Sequence, residues 1–159
     1  MEHYGVFTID KTNLFSEELP YVVVRTNDDK EVTEPEWLEY EEAFRRLYAE
    51  AGARNHRFSI IFRLTLSKVP PAYIRRKGKL MIELLDETER CLVSSAIIVE
   101  NFLVRKTISA LFGVVYRVVR PQKFCENMEE AFEFVAQQNA ADWSEQRAKA
   151  FLAARKQRG

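Results

Sequence analysis

A chain of 159 residues, 47% apolar and 30% charged, has the size and composition of one ordinary folded domain, and a disordered chain would be far less hydrophobic. Twenty-four Lys and Arg balance 24 Asp and Glu, so the simplest electrostatic case for nucleic-acid binding is removed. Cys91 and Cys125 are far apart, each in a mostly apolar stretch, and are expected as free buried thiols in a reducing compartment rather than as a disulfide.

Glu2, His3, Asp10 and Lys11 interrupt any apolar run that could serve as a secretion signal. The alternation at 5–9 and the β-branched run at 21–25 predict two strands, a hairpin with a long loop marked by Asn13 and Pro20. Thr33 or Glu34 with Pro35 opens a first helix, Trp37, Leu38, Tyr40, Phe44, Leu47, Tyr48 and Ala51 give it an apolar stripe, and Gly52 ends it. FSIIFRLTL at 58–66 predicts a strand buried on both faces. Ile74, Met81, Leu85 and Leu92 mark a long second helix, VSSAIIV at 93–99 another buried strand, and Asn101 the cap of a third helix that stops at Gly113. A strand at 114–119, closed by Pro121, precedes a fourth helix whose capping pair is Asn127 and Glu130; 142–158 predicts a further helix. Glu100, Arg105, Lys106 and Arg117 break the most apolar region, so no spanning helix is expected and cytoplasm is the default location.

Buried strands alternating with helices predict the α/β class: a single layered domain at 1–139 with a mixed, mostly parallel sheet of about five strands flanked by about four helices. A C-terminal basic helical tail follows at 140–159. Its Arg147, Lys149, Arg155, Lys156 and Arg158 surround Phe151 and Leu152, a composition that suits either a helix packed on the domain or a partner-binding one.

Over residues 4–138 the order of elements resembles the STAS domain, the SpoIIAA-like family of anti-sigma-factor antagonists, and more loosely the Sec14-like lipid-binding group. The segments that carry the resemblance are FSIIFRLTLSKVPPAYIRRKG, AIIVENFLVRKTISALFG and FCENMEEAFEFV. The resemblance implies a regulatory module without catalysis, and in partner-switching members a serine within Asp-Ser-Ser-Gly is phosphorylated. Here the matching loop reads Leu66, Ser67, Lys68, Val69, Pro70: Ser67 is its only hydroxyl, without the preceding Asp or following Gly.

Catalytic signatures are missing from the sequence. His3 lies near a terminus, His56 falls in a turn, GxSxG does not occur, and Gly5, Gly52, Gly78, Gly113 and Gly159 form no phosphate-cradling loop. No His or Cys pair has metal-ligand spacing, so neither metal nor cofactor is expected. The neutral total conceals segregation: the charges at 28–42 are almost all acidic, with Lys30 the exception, while 54–79 contain no acid. Arg75, Arg76, Lys77 and Lys79 crowd the start of the second helix, where the macrodipole disfavours cations. Either the acidic first helix compensates them, or with Ser67 and Lys68 they form a phosphoacceptor or anion site for a phosphorylated ligand, acidic partner or anionic lipid. The expectation is a non-enzymatic regulatory or scaffolding module that binds a protein partner through a helical face around the second and third helices, and it admits a homo-oligomer. The alternative is a carrier of a small apolar or lipid ligand, with the anion site at the start of the second helix.

Overall fold

The computed structural model describes residues 1–26, 32–65, 71–115 and 120–158. In chain order they form β1 (Glu2–Tyr4), β2 (Phe7–Asp10), β3 (Tyr21–Thr26), α1 (Glu34–Ala53), β4 (Phe58–Leu64), α2 (Pro71–Glu83), α3 (Leu85–Cys91), β5 (Leu92–Val99), α4 (Phe102–Val115), β6 (Gln122–Cys125) and α5 (Met128–Arg158). The six strands make one mixed sheet in the order β1-β2-β3-β4-β5-β6, antiparallel over the first three and parallel from β3 onward. This is the α/β class that the alternation of strands and helices implies.

Every parallel crossover advances one position in the same direction, so the right-handed preference sends the crossover helices to one face of the sheet. The core divides accordingly. Trp37, Tyr40, Phe44, Leu47 and Tyr48 of α1, Ile74 and Leu80 of α2, and Val104 and Ile108 of α4 pack with Phe58, Ile60, Phe62 and Leu64 on that face. The last helix follows no crossover and lies on the other, where Ala131 and Val135 meet Val23, Ile61, Ala96 and Ile98. At the start of β4 the register shifts, and the buried Ser59 and Ser94 hydroxyls bond each other at 2.8 Å, so this polar pair is satisfied inside the core. Cys91 and Cys125 are free and buried.

Several boundaries differ from the sequence expectation. The strand expected at 5–9 begins at Phe7, because Gly5, at φ +60°, turns the chain into a tight hairpin that adds β1. The second helix bends at Leu84, whose N–H still donates to Leu80 while its carbonyl accepts from Thr88, and Leu92 belongs to β5. Gly113 does not end α4, which runs to Val115. The strand expected at 114–119 is therefore not the sixth: 114 and 115 are helical, 116–119 lie outside the described residues, and β6 follows Pro121. Proline has no N–H for a ladder but an unimpaired carbonyl, and Pro121 uses it to accept from Ser95 N–H at 3.0 Å.

The expected boundary at 139/140 is crossed by one continuous helix of 31 residues. No Gly or Pro lies between Pro121 and Gly159, and Gln, Ala and Arg dominate the passage. Its start is as the capping pair implies: Asn127 Oδ1 accepts from Glu130 N–H at 2.9 Å, and the Glu130 carboxylate accepts from Glu126 N–H at 3.0 Å.

Midway along α5, Asp142 receives both Nε and Nη2 of Arg57, at 2.9 and 2.6 Å, and Arg57 Nη1 donates to the Arg90 carbonyl at 2.7 Å. One guanidinium thus joins the approach to β4, the end of α3 and the middle of α5. Asp142→Ala leaves it half-buried without its counter-ion and is expected to cost about 1–3 kcal/mol. Equilibrium urea unfolding of the variant measures that loss, and an unchanged midpoint would show that the pair does not hold α5 down.

Candidate functional site

The first helix is capped by Thr33, whose hydroxyl accepts from Glu36 N–H, with Pro35 in the first turn. Its apolar stripe faces the sheet and leaves Glu34, Glu41, Glu42 and Arg45 toward α2. On α2 the spacing of Ile74, Lys77 and Leu80 puts all three on the inward face. Four cations close in sequence are therefore splayed to different surroundings.

Arg76 is held between Glu34 and Glu41, its Nε 2.7 Å from Glu41 and its Nη1 on Glu34, and it lies over the Trp37 ring. These contacts raise the Arg76 pKa and hold the Glu34 carboxyl below its ordinary range. Arg45 makes a forked pair with Glu83 at 3.0 and 2.9 Å and also reaches Glu42. The acidic first helix thus takes up part of the charge that the sequence segregates. Arg75 and Lys79 stay exposed, without an ion pair among the described residues. With Ala72 they line a groove of about 570 Å³ between the two helices, in which the buried Trp37 and Leu80 are the large apolar side chains.

Lys77 is the site residue whose position the sequence did not reveal. It is 95% buried, with Nζ 3.9 Å from the Phe62 ring centre, 4.4 Å from Phe44 and 5.8 Å from Tyr40, and it has no hydrogen-bond partner among the described residues. Burial pulls its pKa from 10.5 down to about 7. The three ring faces stabilise the ammonium only in part, because cation–π attraction does not replace lost hydration. Lys77 is not among the residues that line this groove. Of the remaining candidates for the anion site, Ser67 and Lys68 lie outside the described residues.

A second groove, of about 680 Å³, is lined by His56, Arg57, Asp142, Asn139 and Trp143 among others. His56 and Asp142 are both engaged, while Glu17, which also lines it, is exposed and forms no ion pair among the described residues. His56 donates Nε2–H to the Leu14 carbonyl at 2.6 Å and stacks obliquely on Phe15, while Asp142 is held by Arg57. Among the described residues no group of three or more His, Cys, Asp or Glu could hold a metal ion.

The outward side of α4 is the feature the sequence under-read. Val104 and Ile108 are buried, but Phe102, Leu103 and Leu111 are exposed, with Arg105 and Lys106 lying against the Phe102 ring. The signal was present in FLVRKTISALFG, whose apolar positions are too broadly spread for one buried stripe. Among the described residues no helix is long and apolar enough to cross a membrane. Comparison with family models, curated proteins and solved structures finds no match to this chain.

The depressed Lys77 pKa has a signed consequence. Between about pH 7 and 10.5 the unfolded chain binds the proton that the folded chain releases, so stability rises with pH across that window, and the full cost is present at and below neutrality. Lys77→Met, which keeps the length and removes the charge, is expected to stabilise the fold at pH 7 by roughly 2–4 kcal/mol and to flatten the rise. Thermal unfolding of both proteins from pH 6 to 10 checks this; parallel pH profiles would mean that the amine is hydrated in solution.

Proposed function

We propose that this chain is a non-enzymatic regulatory or scaffolding module that binds a protein partner through the helical face built by α4 with its neighbour α2. The observation that carries the reading is the outward side of α4, where Phe102 and Leu103 are 56% and 72% exposed beside Arg105 and Lys106. Ile82 on α2, which packs against α4, is also exposed. Arg105 is itself held by Glu126 and the Val99 carbonyl, so the exposed apolar side chains with Lys106 beside them suit a partner that offers an apolar anchor with an acidic group at its edge.

The sheet supports the same reading. Open α/β sheets bind ligands where the strand order reverses, and this order runs from β1 to β6 without reversal, so it opens no crevice of that kind. The likeness to the STAS and SpoIIAA-like group rests on the succession of strands and helices, and it favours a binding module over an enzyme. The alternative, a carrier of a small apolar or lipid ligand, is favoured by the α1–α2 groove, where Arg75 and Lys79 have no ion pair among the described residues.

Phe102 and Leu103 open α4, where Ser and Asp suit the first turn, so Phe102→Ser with Leu103→Asp is expected to leave the unfolding midpoint within about 0.5 kcal/mol of the parent. Affinity capture from the source cells should then retain one protein in a fixed ratio with the parent chain and lose it with the variant. Native mass spectrometry showing a co-purified small molecule, with capture unaffected by the variant, would replace this reading by the carrier.

A further inference from the structure

The second half of α5 has no partner among the described residues of the chain. At 1.5 Å per residue the helix is roughly 46 Å long. Its first half packs on the sheet, while residues 147–158 are exposed at every position, and Trp143, Phe151 and Leu152 present 63%, 66% and 55% of their surface to water. A segment of this length is marginal as a helix on its own, and aromatic and aliphatic side chains in water add nothing to it.

Two features of the same chain fit each other. Residues 147–158 carry Arg147, Lys149, Arg155, Lys156 and Arg158 and no acid. Beside the first half of α5 lies a groove of about 350 Å³ lined by Glu17, Glu18, Leu19, Ala136, Asn139, Ala140 and Trp143. Glu17 and Glu18 are exposed and form no ion pair among the described residues. The exposed edge of α5 is also symmetric about Glu145: when two such helices lie antiparallel, Ala136 falls opposite Ala154, Ala140 opposite Ala150, and Trp143 opposite Arg147. The alternating spacing of four and three residues keeps these positions on one edge, and the alanines permit close approach of the axes. In that register Phe151 lies opposite Asn139, at the groove.

We infer that the partner of this face is a second copy of the chain, two α5 helices pairing antiparallel so that the basic half of each covers the acidic groove beside Glu17, Glu18 and Trp143 of the other. The contact is isologous, so it closes as a dimer and leaves no unused half to propagate. It uses the face of the sheet opposite α4 and is independent of the partner-binding reading.

Sedimentation equilibrium of the full chain from 1 to 100 µM tests the pairing. The expected result is a dimer of the 18.6 kDa chain that weakens at least tenfold on Phe151→Glu and on raising salt to 1 M. Glu17→Lys with Glu18→Lys, and separately Arg155→Glu with Arg158→Glu, should each weaken self-association, and an equimolar mixture of the two should restore it as a heterodimer. Phe151 is exposed, so its substitution leaves the fold intact, and circular dichroism with an unchanged melting point at a concentration where both proteins are monomeric verifies that. A parent chain monomeric at 100 µM overturns the inference. So does a dimer indifferent to Phe151→Glu and to both charge reversals.

Discussion

Strand β5 is buried at all eight of its positions, and most of the architecture follows from that requirement. A strand with no wet side needs a neighbour on each edge and a cover on each face; β4 and β6 supply the edges through parallel ladders that only crossover connections can make. Because each crossover steps the same way, α1, α2 and α4 crowd one face, and the opposite face is left to a single helix. The small side chains there, Ala96 on the strand and Ala131 on the helix, let α5 approach closely enough for that one helix to suffice. Each buried Val, Ile or Leu of the central strands contributes roughly 1.5–3 kcal/mol. A polar substitution on β5 therefore has no exposed position to move to.

The crowded face explains the charge pattern. Packing α1 against the sheet with its acids outward gives α2 a ready anionic neighbour, so Arg76 can stand in the first half of a helix without the cost the macrodipole would otherwise impose. The same docking turns the next residue inward. Lys77 occupies a core position of the Ile74, Lys77, Leu80 row, and its aliphatic stem packs as a hydrophobe would, but its amine ends among three rings. Arg76 and Lys77 thus show how one residue of helical rotation separates a compensated surface cation from an uncompensated buried one.

The fold class, α1, β4, β5 and the start of α5 were legible in the sequence because each has its own local signal: proline after a capping threonine, dense β-branched runs, and an Asn-Glu capping pair. What was not legible depended on partners distant in the chain. The first strand, EHY, is too short and polar to declare itself and exists because Gly5 folds it onto β2. Gly113 reads as a stop locally, yet α4 continues through it. At the candidate site, the mutual compensation of the acidic and basic segments was foreseeable from composition, but the division of labour among Arg75, Arg76, Lys77 and Lys79 was not. Helical phase alone cannot say which side of α2 faces the core until the extent of α1 beside it is known.

Among the described residues, the two surfaces left without intramolecular cover lie on opposite faces of the sheet, and this bears on what the molecule can do. α4 belongs to the crowded face, where apolar residues exceed what Val104 and Ile108 can bury; α5 belongs to the sparse face and outruns the sheet it covers. An occupant of one does not obstruct the other. If two chains pair through α5, the pair carries two α4 faces held at a fixed separation by a helix anchored at Arg57 and Asp142. A partner that is itself repeated or dimeric then meets two sites, and its second contact forms at an effective concentration set by that geometry instead of by bulk abundance, so modest apolar contacts at Phe102 and Leu103 can sum to durable binding. A small domain would gain most from this arrangement, because Phe102 and Leu103 are few apolar anchors for a long-lived complex.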